Sequence, residues 1–433
     1  MIAALLAATL AQASPQGSGP CRTLCDAERL QPFLDKLART RREGWPVRIL
    51  QIGDSHTAGD QITGAWRAAL QARYGNAGRG LLPPGRPYQG YLTKDVTATQ
   101  SGGWSVAGVF GAAYHGVAAP PIGVSGYSLT GAPGATMSIA ADRTAFDRFT
   151  VCALARPGAG ALTLTAGGVT RTMALDADRD EPRCESVDAA GPAYAASLSI
   201  ADAPVTVTSW TTERRGVGGV VLSNLGTVGA QLIHQDRTDD RVVASEIARY
   251  RPDLLVIAFG TNEAFSPKFS RADYQSRLRA GVARLRRMAP GVPVLLIGAP
   301  DSATRQPALQ VGEGGASAPC LAGGTYFTPT PPAEGAVVAP PLVAPLPSSW
   351  RPTAALATVQ AVQRRVAHDE GLAFWDWGLA MGGRCSATVW PAMSPPLMRG
   401  DRVHFTTAGG AEIARRLQID LDAAAATLTP DRR

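Results

Sequence analysis

Four short polar stretches hold the residue types that acyl transfer needs. They are Asp54-Ser55, the glycine turn Gly226-Thr-Val-Gly229, Gly260-Thr261-Asn262, and Asp401-Arg-Val-His404. A serine hydroxyl becomes a nucleophile when a neighbouring base takes its proton, and a histidine serves best when a carboxylate orients it. Ser55, His404 and Asp401 supply those three groups. A tetrahedral intermediate also needs donors aimed at its oxyanion. The Ser55 and Gly229 backbone amides and the Asn262 side chain are the candidates, with Gly226 competing with Gly229. Each stretch has a plainer reading. Ser55 fits a helix cap, Gly229 an ordinary turn glycine, and Asn262 a turn or capping asparagine. His56 reads as a structural or substrate-lining group. His234 and Asp236 read as a solvated helix face within reach of substrate, and His115 and His368 as surface residues.

The elements around these stretches decide between the readings. Val47–Ile52 is a short apolar run, expected as a buried strand. It stops at Gly53, and Ile62, Trp66 and Leu70 follow at helical spacing up to Gly75. Ser55 is therefore expected on a tight strand-to-helix turn. Val220–Leu225, Leu254–Phe259 and Val294–Ile297 are further apolar runs, each ending in glycine. Helical stripes recur over 271–288 and 353–370, and a last helix follows Thr406 or Thr407. Apolar strands alternating with helices predict a parallel sheet covered on both faces, with strand C-termini sharing one edge. The four polar stretches are expected to converge there.

Between 96 and 212 the helical period is lost. Short alternating segments recur about every ten residues, which predicts an inserted β-sandwich. Residues 75–92 are expected as a glycine- and proline-rich loop, and 302–350 as a long surface excursion. The expected division is 1–14 as a secretory leader, 30–95 and 213–433 as the two parts of an α/β domain, and 96–212 as the insert.

The chain has 433 residues and a net charge of +7 without blocks of like charge, which argues against a nucleic-acid surface. The apolar start ends in Ala11-Gln12-Ala13, a small-x-small cleavage pattern. An uncleaved anchor is the alternative, but a membrane span takes about 20 apolar residues and this run is shorter. Six cysteines fit an exported, disulfide-bonded protein and allow 15 pairings, among them Cys152–Cys184 across the β-rich stretch and Cys320–Cys385 across the C-terminal half, with Cys21 and Cys25 close in sequence. None has zinc-site spacing, and Asp176-x-Asp178-x-Asp180 lacks the glycine and glutamate of an EF-hand calcium loop. No metal or organic cofactor is expected. Trp375 and Trp377 read as core. Trp104, Tyr114 and Trp210 could stack on sugars but read equally as core.

The four blocks in order resemble the SGNH/GDSL hydrolase superfamily: Gly53-Asp54-Ser55, Asn224-x-x-x-x-Gly229, Gly260-Thr261-Asn262-Glu263 and Asp401-Arg402-Val403-His404. Asp-Ser-His-Thr-Ala-Gly-Asp, Arg-Tyr-Gly-Asn-Ala-Gly-Arg-Gly, Phe-Trp-Asp-Trp and Met-Gly-Gly look like the peptidoglycan O-acetylesterase group within it. The resemblance implies a flavodoxin-like three-layer α/β/α fold with a carbohydrate-binding-module-like sandwich inserted after the first block. It implies Ser55, Asp401 and His404 as catalytic residues and Ser55, Gly229 and Asn262 as the oxyanion hole. It also implies an acetylated glycan as partner, through muramic acid residues of peptidoglycan, and a periplasmic or secreted location. A polysaccharide O-acetyltransferase or a glycan-binding protein is the alternative. Gly409-Gly410 departs from relatives that place an aromatic residue after the glycine.

Overall fold

The computed structural model describes residues 22–116, 119–305, 320 and 350–428. The leader, Cys21 and most of the 302–350 excursion lie outside the described residues.

Five parallel strands form the central sheet. In chain order they are Pro46–Gly53, Gly219–Gly226, Leu254–Ala258, Val294–Ile297 and Ala373–Trp375. Numbered in that order, their spatial order is 2-1-3-4-5, with Leu24–Cys25 added antiparallel to the last. These strands are almost wholly buried on both faces because their side chains are mostly apolar, with Arg48, Gln51, Ser223 and Asn224 as the polar exceptions. One face is covered by Gln31–Glu43, Gln61–Tyr74 and Thr407–Leu428, through Phe33, Trp66, Leu70, Ile413 and Leu417. The other is covered by Asp240–Tyr250, Arg271–Met288 and Leu356–Asp369, through Ile247, Leu278, Val282, Val359 and Val366. The fold class is the three-layer α/β arrangement expected from the sequence. In this strand order the connections reverse between the first and third strands. A crevice opens there at the carboxyl edge, where ligands bind in doubly wound sheets.

Residues 96–213 carry two antiparallel sheets packed around their own core, which includes Leu129, Met137, Phe149, Leu164, Leu198 and Trp210. One sheet has five strands, and the other has Glu181–Ala193, Phe146–Ala155, Val205–Glu213, Tyr127–Gly131 and Trp104–Gly108 in that order.

Part of the 75–92 stretch is not a loop. Gly78–Leu82 is a strand paired antiparallel with Val205–Glu213. Its glycines serve close approach rather than turning. A Cβ on Gly78 would run into the Glu213 backbone, and one on Gly80 into Ser223 and Val221. Two further elements have no expectation to match. Glu181–Ala193 is a thirteen-residue strand, and Asp240–Tyr250 is a helix. The helix carries a fully buried Glu246, which accepts hydrogen bonds from the Val124 N–H (2.7 Å), the Thr208 hydroxyl (2.6 Å) and the Ser209 hydroxyl (2.6 Å). Burial pushes this carboxyl up, and the three donors oppose that rise. Glu246 thus pins the α/β layer to the sandwich.

Cys152–Cys184 and Cys320–Cys385 are disulfide-bonded, as expected, and Cys25 is also disulfide-bonded. The second bridge ties Cys320, inside the excursion, to Cys385 at the start of the short helix Ser386–Val389. Among the described residues, no helix is long and apolar enough to cross a membrane.

Gly409 and Gly410 have a packing reason. A Cβ on Gly409 would collide with the Leu397 carbonyl, and one on Gly410 with Gln61. The terminal helix therefore starts in close contact with its neighbours, and an aromatic side chain at 410 would not fit. Thr406, rather than Thr407, caps this helix, since its hydroxyl accepts from the Gly409 N–H at 3.1 Å.

Candidate active site

Ser55 opens a helix of only one turn, Ser55–Ala58, capped by the Asp54 carboxylate on the His56 N–H. The chain then breaks at Asp60, which is left-handed at φ 50°, before the longer helix begins. The helical spacing of Ile62, Trp66 and Leu70 belongs to this second helix, Gln61–Tyr74. A separate short turn presents the serine, and a buried Asp60 holds that turn.

Ser55 Oγ lies 3.0 Å from His404 Nε2, and His404 Nδ1 lies 2.9 Å from Asp401 Oδ2. The other carboxylate oxygen of Asp401 accepts from the backbone N–H groups of Val403 and His404, each at 2.9 Å. Partial burial pushes the Asp401 carboxyl up. The two amides and the imidazole outweigh that push and hold it below the ordinary carboxylate value. Asp401 therefore stays ionised and orients the imidazole with its free nitrogen toward Ser55. These three residues, distant in sequence, meet at the carboxyl edge of the first strand.

The two glycines that competed for the oxyanion role are in different situations. Gly226 pairs in register with Gly53, and a Cβ there would enter the backbone of Ala58 and Asp54. It is a packing glycine beneath the nucleophile turn. Gly229 has φ +78° and is partly exposed, and its Cβ position lies 2.7 Å from Phe110 Cε1. Among the described residues, neither the Ser55 nor the Gly229 N–H has a hydrogen-bond acceptor. Asn262 donates from Nδ2 to the Ala230 carbonyl at 2.9 Å, which ties it to the Gly229 turn. An amide nitrogen carries two hydrogens, so one is left for another acceptor.

Several supporting residues are not among the catalytic and oxyanion candidates read from the sequence. Glu263 accepts from the Leu232 N–H at 2.8 Å and the Gly260 N–H at 3.0 Å, and so bridges the turns that carry Gly229 and Asn262. Burial raises its carboxyl to about 7, against the two backbone donors. Phe110, which follows the strand Trp104–Gly108, stacks on His234 with ring centroids 4.5 Å apart and covers Gly229. His234 is thus a packed residue rather than a solvated one. Burial and the nearby Arg237 lower it to about 4. The Arg237 guanidinium lies 3.8 Å from the centroid of Tyr114, which is 40% exposed. Arg402 packs over Trp350, 4.7 Å from its centroid, which ties the catalytic loop to the end of the excursion. Trp375, Trp377 and Trp210 are buried. His115 and His368 are exposed, as expected.

Beneath the site lies a buried charge network. Asp60 accepts from Arg67 Nη2 (2.9 Å), Arg79 Nη2 (3.2 Å), the Thr63 hydroxyl (2.6 Å) and the Lys94 N–H (2.8 Å). Arg79 continues to Asn224 Oδ1 at 2.6 Å, and Asn224 Nδ2 donates to the Thr57 carbonyl at 3.1 Å. Asn224 of the second block therefore braces the turn that carries Ser55.

The chain is similar to several known proteins. A solved structure of a peptidoglycan O-acetylesterase aligns over 92% of this chain and 96% of its own, with TM-score 0.69 and 26% identity. A salicylyl-acyltransferase from a tetracycline biosynthetic pathway aligns over 77% and 98%, with TM-score 0.31 and 13% identity. A family two carbohydrate esterase from Cellvibrio japonicus aligns over 76% and 98%, with TM-score 0.26 and 15% identity. A sequence search of curated proteins finds no match. The model of the GDSL-like lipase/acylhydrolase family matches residues 186–411, just over half of the chain. That match holds Asn224, Gly229, Asn262, Asp401 and His404. It begins after Ser55, which the sandwich strands separate from the other blocks. With the family model spanning these blocks and Ser55 Oγ in contact with His404, the chain belongs to the GDSL-like lipase/acylhydrolase family.

Proposed function

We propose that this protein is an extracytoplasmic serine esterase that removes O-acetyl groups from a cell-envelope glycan, specifically from muramic acid residues of peptidoglycan. The contact of Ser55 with His404, oriented in turn by Asp401, carries the chemical part of the reading. The likeness to a peptidoglycan O-acetylesterase over nearly the whole chain, sandwich strands included, supports the substrate. The disulfides support a location outside the reducing cytoplasm.

In this mechanism His404 Nε2 takes the Ser55 proton as Oγ attacks the acetyl carbonyl carbon. The oxyanion is held by the Ser55 and Gly229 N–H groups and the Asn262 amide. The intermediate collapses as the imidazolium gives its proton to the leaving sugar oxygen, which leaves an acetyl ester on Ser55. A water then gives a proton to His404 and attacks the ester. Acetate leaves, and the proton returns to Ser55 Oγ. Asp401 stays ionised and stabilises the imidazolium in both halves.

Asn262→Ala removes one oxyanion donor. It is expected to lower kcat by about a hundred- to a thousandfold with little change in KM, measured on a soluble acetyl ester. For the substrate, acetate release is measured from O-acetylated peptidoglycan, acetylated xylan and acetylated alginate. Release from peptidoglycan in preference to both polysaccharides supports the reading. Preference for xylan or alginate overturns the muramic acid assignment, and acetyl transfer to an oligosaccharide in place of acetate release overturns hydrolysis.

A further inference from the structure

His56 has no step in this mechanism, yet it is tightly constrained beside the nucleophile. It is 7% exposed and is enclosed by Trp377, Phe405 and His404, with ring centroids 5.2, 5.6 and 5.5 Å away. Both of its ring nitrogens face oxygen. Nδ1 is 3.1 Å from Asp54 Oδ1, and Nε2 is 2.9 Å from the Val403 carbonyl oxygen. The Thr261 hydroxyl stands 3.5 Å from Nδ1. A carbonyl only accepts, and so does an ionised carboxylate. A neutral imidazole carries one N–H and satisfies one of these two partners, whereas an imidazolium satisfies both. The Asp54 oxygen is itself held by the His56 backbone N–H at 2.9 Å. These contacts run from the residue before Ser55 to the residue before His404.

We propose, on the reading that Ser55 and His404 carry the reaction, that His56 is a charged positioning residue: as an imidazolium it clamps the nucleophile turn to the catalytic loop through Asp54 and the Val403 carbonyl. The clamp sets the separation of Ser55 Oγ from His404 Nε2. The groups facing it are Asp54 from its own turn, Asp401 and His404 from the catalytic loop, Thr261 from the third block, and Trp377 from the short helix Trp377–Met381. Burial lowers the His56 pKa. The Asp54 charge and hydrogen bond, the Val403 carbonyl and the Asp401 charge together raise it above the ordinary imidazole value. The imidazolium also neutralises Asp54. Without it, the buried Asp54 carboxylate would lose its counter-charge and the cation 5.5 Å from the His404 ring would be gone, so the fall of turnover on the acid side would move to higher pH.

The test compares His56→Gln, which keeps a donor for Val403 without the charge, with His56→Leu, which removes both. Hydrolysis of a soluble acetyl ester is followed across pH, with thermal melts and Ser55→Ala alongside. His56→Gln is expected to lower kcat by about tenfold with KM near wild type, and to move the acid limb of kcat/KM to higher pH. His56→Leu is expected to lose about a hundredfold or more, the scale of a misplaced reacting group. A His56→Gln enzyme with wild-type kcat and an unmoved acid limb overturns the proposal. Equal losses in both variants with an unmoved acid limb also overturn it, because that is a purely structural effect. If His56→Leu does not fold, His56→Gln alone decides. Turnover by Ser55→Ala would instead overturn the reading of the site, whereas an inactive Ser55→Ala beside unaltered His56 variants removes only the clamp.

Discussion

Ser55→Ala is expected to lower kcat on any acetyl ester by about ten thousand- to a millionfold while the thermal melt stays within about a degree of wild type. The loss is large because the three groups act as a unit. Without Oγ, His404 has no proton to take and Asp401 no imidazolium to stabilise, and only binding and the oxyanion donors remain. The fold should be unaffected, because Ser55 is not what caps its own turn: the Asp54 carboxylate does that. The result would separate the two readings that a serine on a strand-to-helix turn allows. A cap would change stability and leave turnover, whereas a nucleophile does the reverse.

Asp60→Asn should have the largest effect on stability. Arg67 and Arg79 are 0% and 5% exposed, and Asp60 is the carboxylate that both share. Arg67 has a second partner in Asp95 at 2.8 Å, whereas Arg79 would keep only neutral acceptors. Leaving a buried cation without its counter-charge costs about 3–5 kcal/mol. The loss should be visible in denaturant unfolding. It should also lower kcat, because Arg79 braces the nucleophile turn through Asn224. The same carboxylate predicts an acid dependence. Burial alone would raise its pKa, but Arg67 and Arg79 outweigh burial and hold it at about 2, against an ordinary 3.8. The folded-state value is depressed, so this stability is present above about 3.8 and is lost as pH falls toward 2. About 2 kcal/mol is at stake in the wild type and none in the variant. Identical unfolding of the two proteins at neutral pH would remove the network from the account.

The strands of the central sheet were legible because each is a mostly apolar run, and such runs fit a sheet covered on both faces. The helix Asp240–Tyr250 escaped because Glu246 sits within its buried stripe of Val242, Val243, Ile247 and Tyr250. A charged residue at a core position breaks the period that sequence reading depends on. The strand Glu181–Ala193 escaped for a related reason, since only Val187, Ala189 and Ala193 along it are buried. Gly78–Leu82 was misread because glycines that permit close backbone approach look the same as glycines that turn the chain. In the site, the residue types in the four blocks announced themselves. Partners set by long-range packing did not. His56 meets Val403 across 347 positions, and Phe110 covers Gly229 from a distant stretch. Nothing local to either residue encodes such a contact.

In the proposed mechanism Ser55 carries the acyl group between the two half-reactions. The direct measurement is mass spectrometry of the protein quenched during turnover of an acetyl ester, followed by peptide mapping. The mechanism predicts a mass increase of one acetyl group on the peptide that contains Ser55, absent in Ser55→Ala and discharged by water over time. An acetyl group mapped to a different residue, or turnover in Ser55→Ala at the wild-type rate, would contradict it.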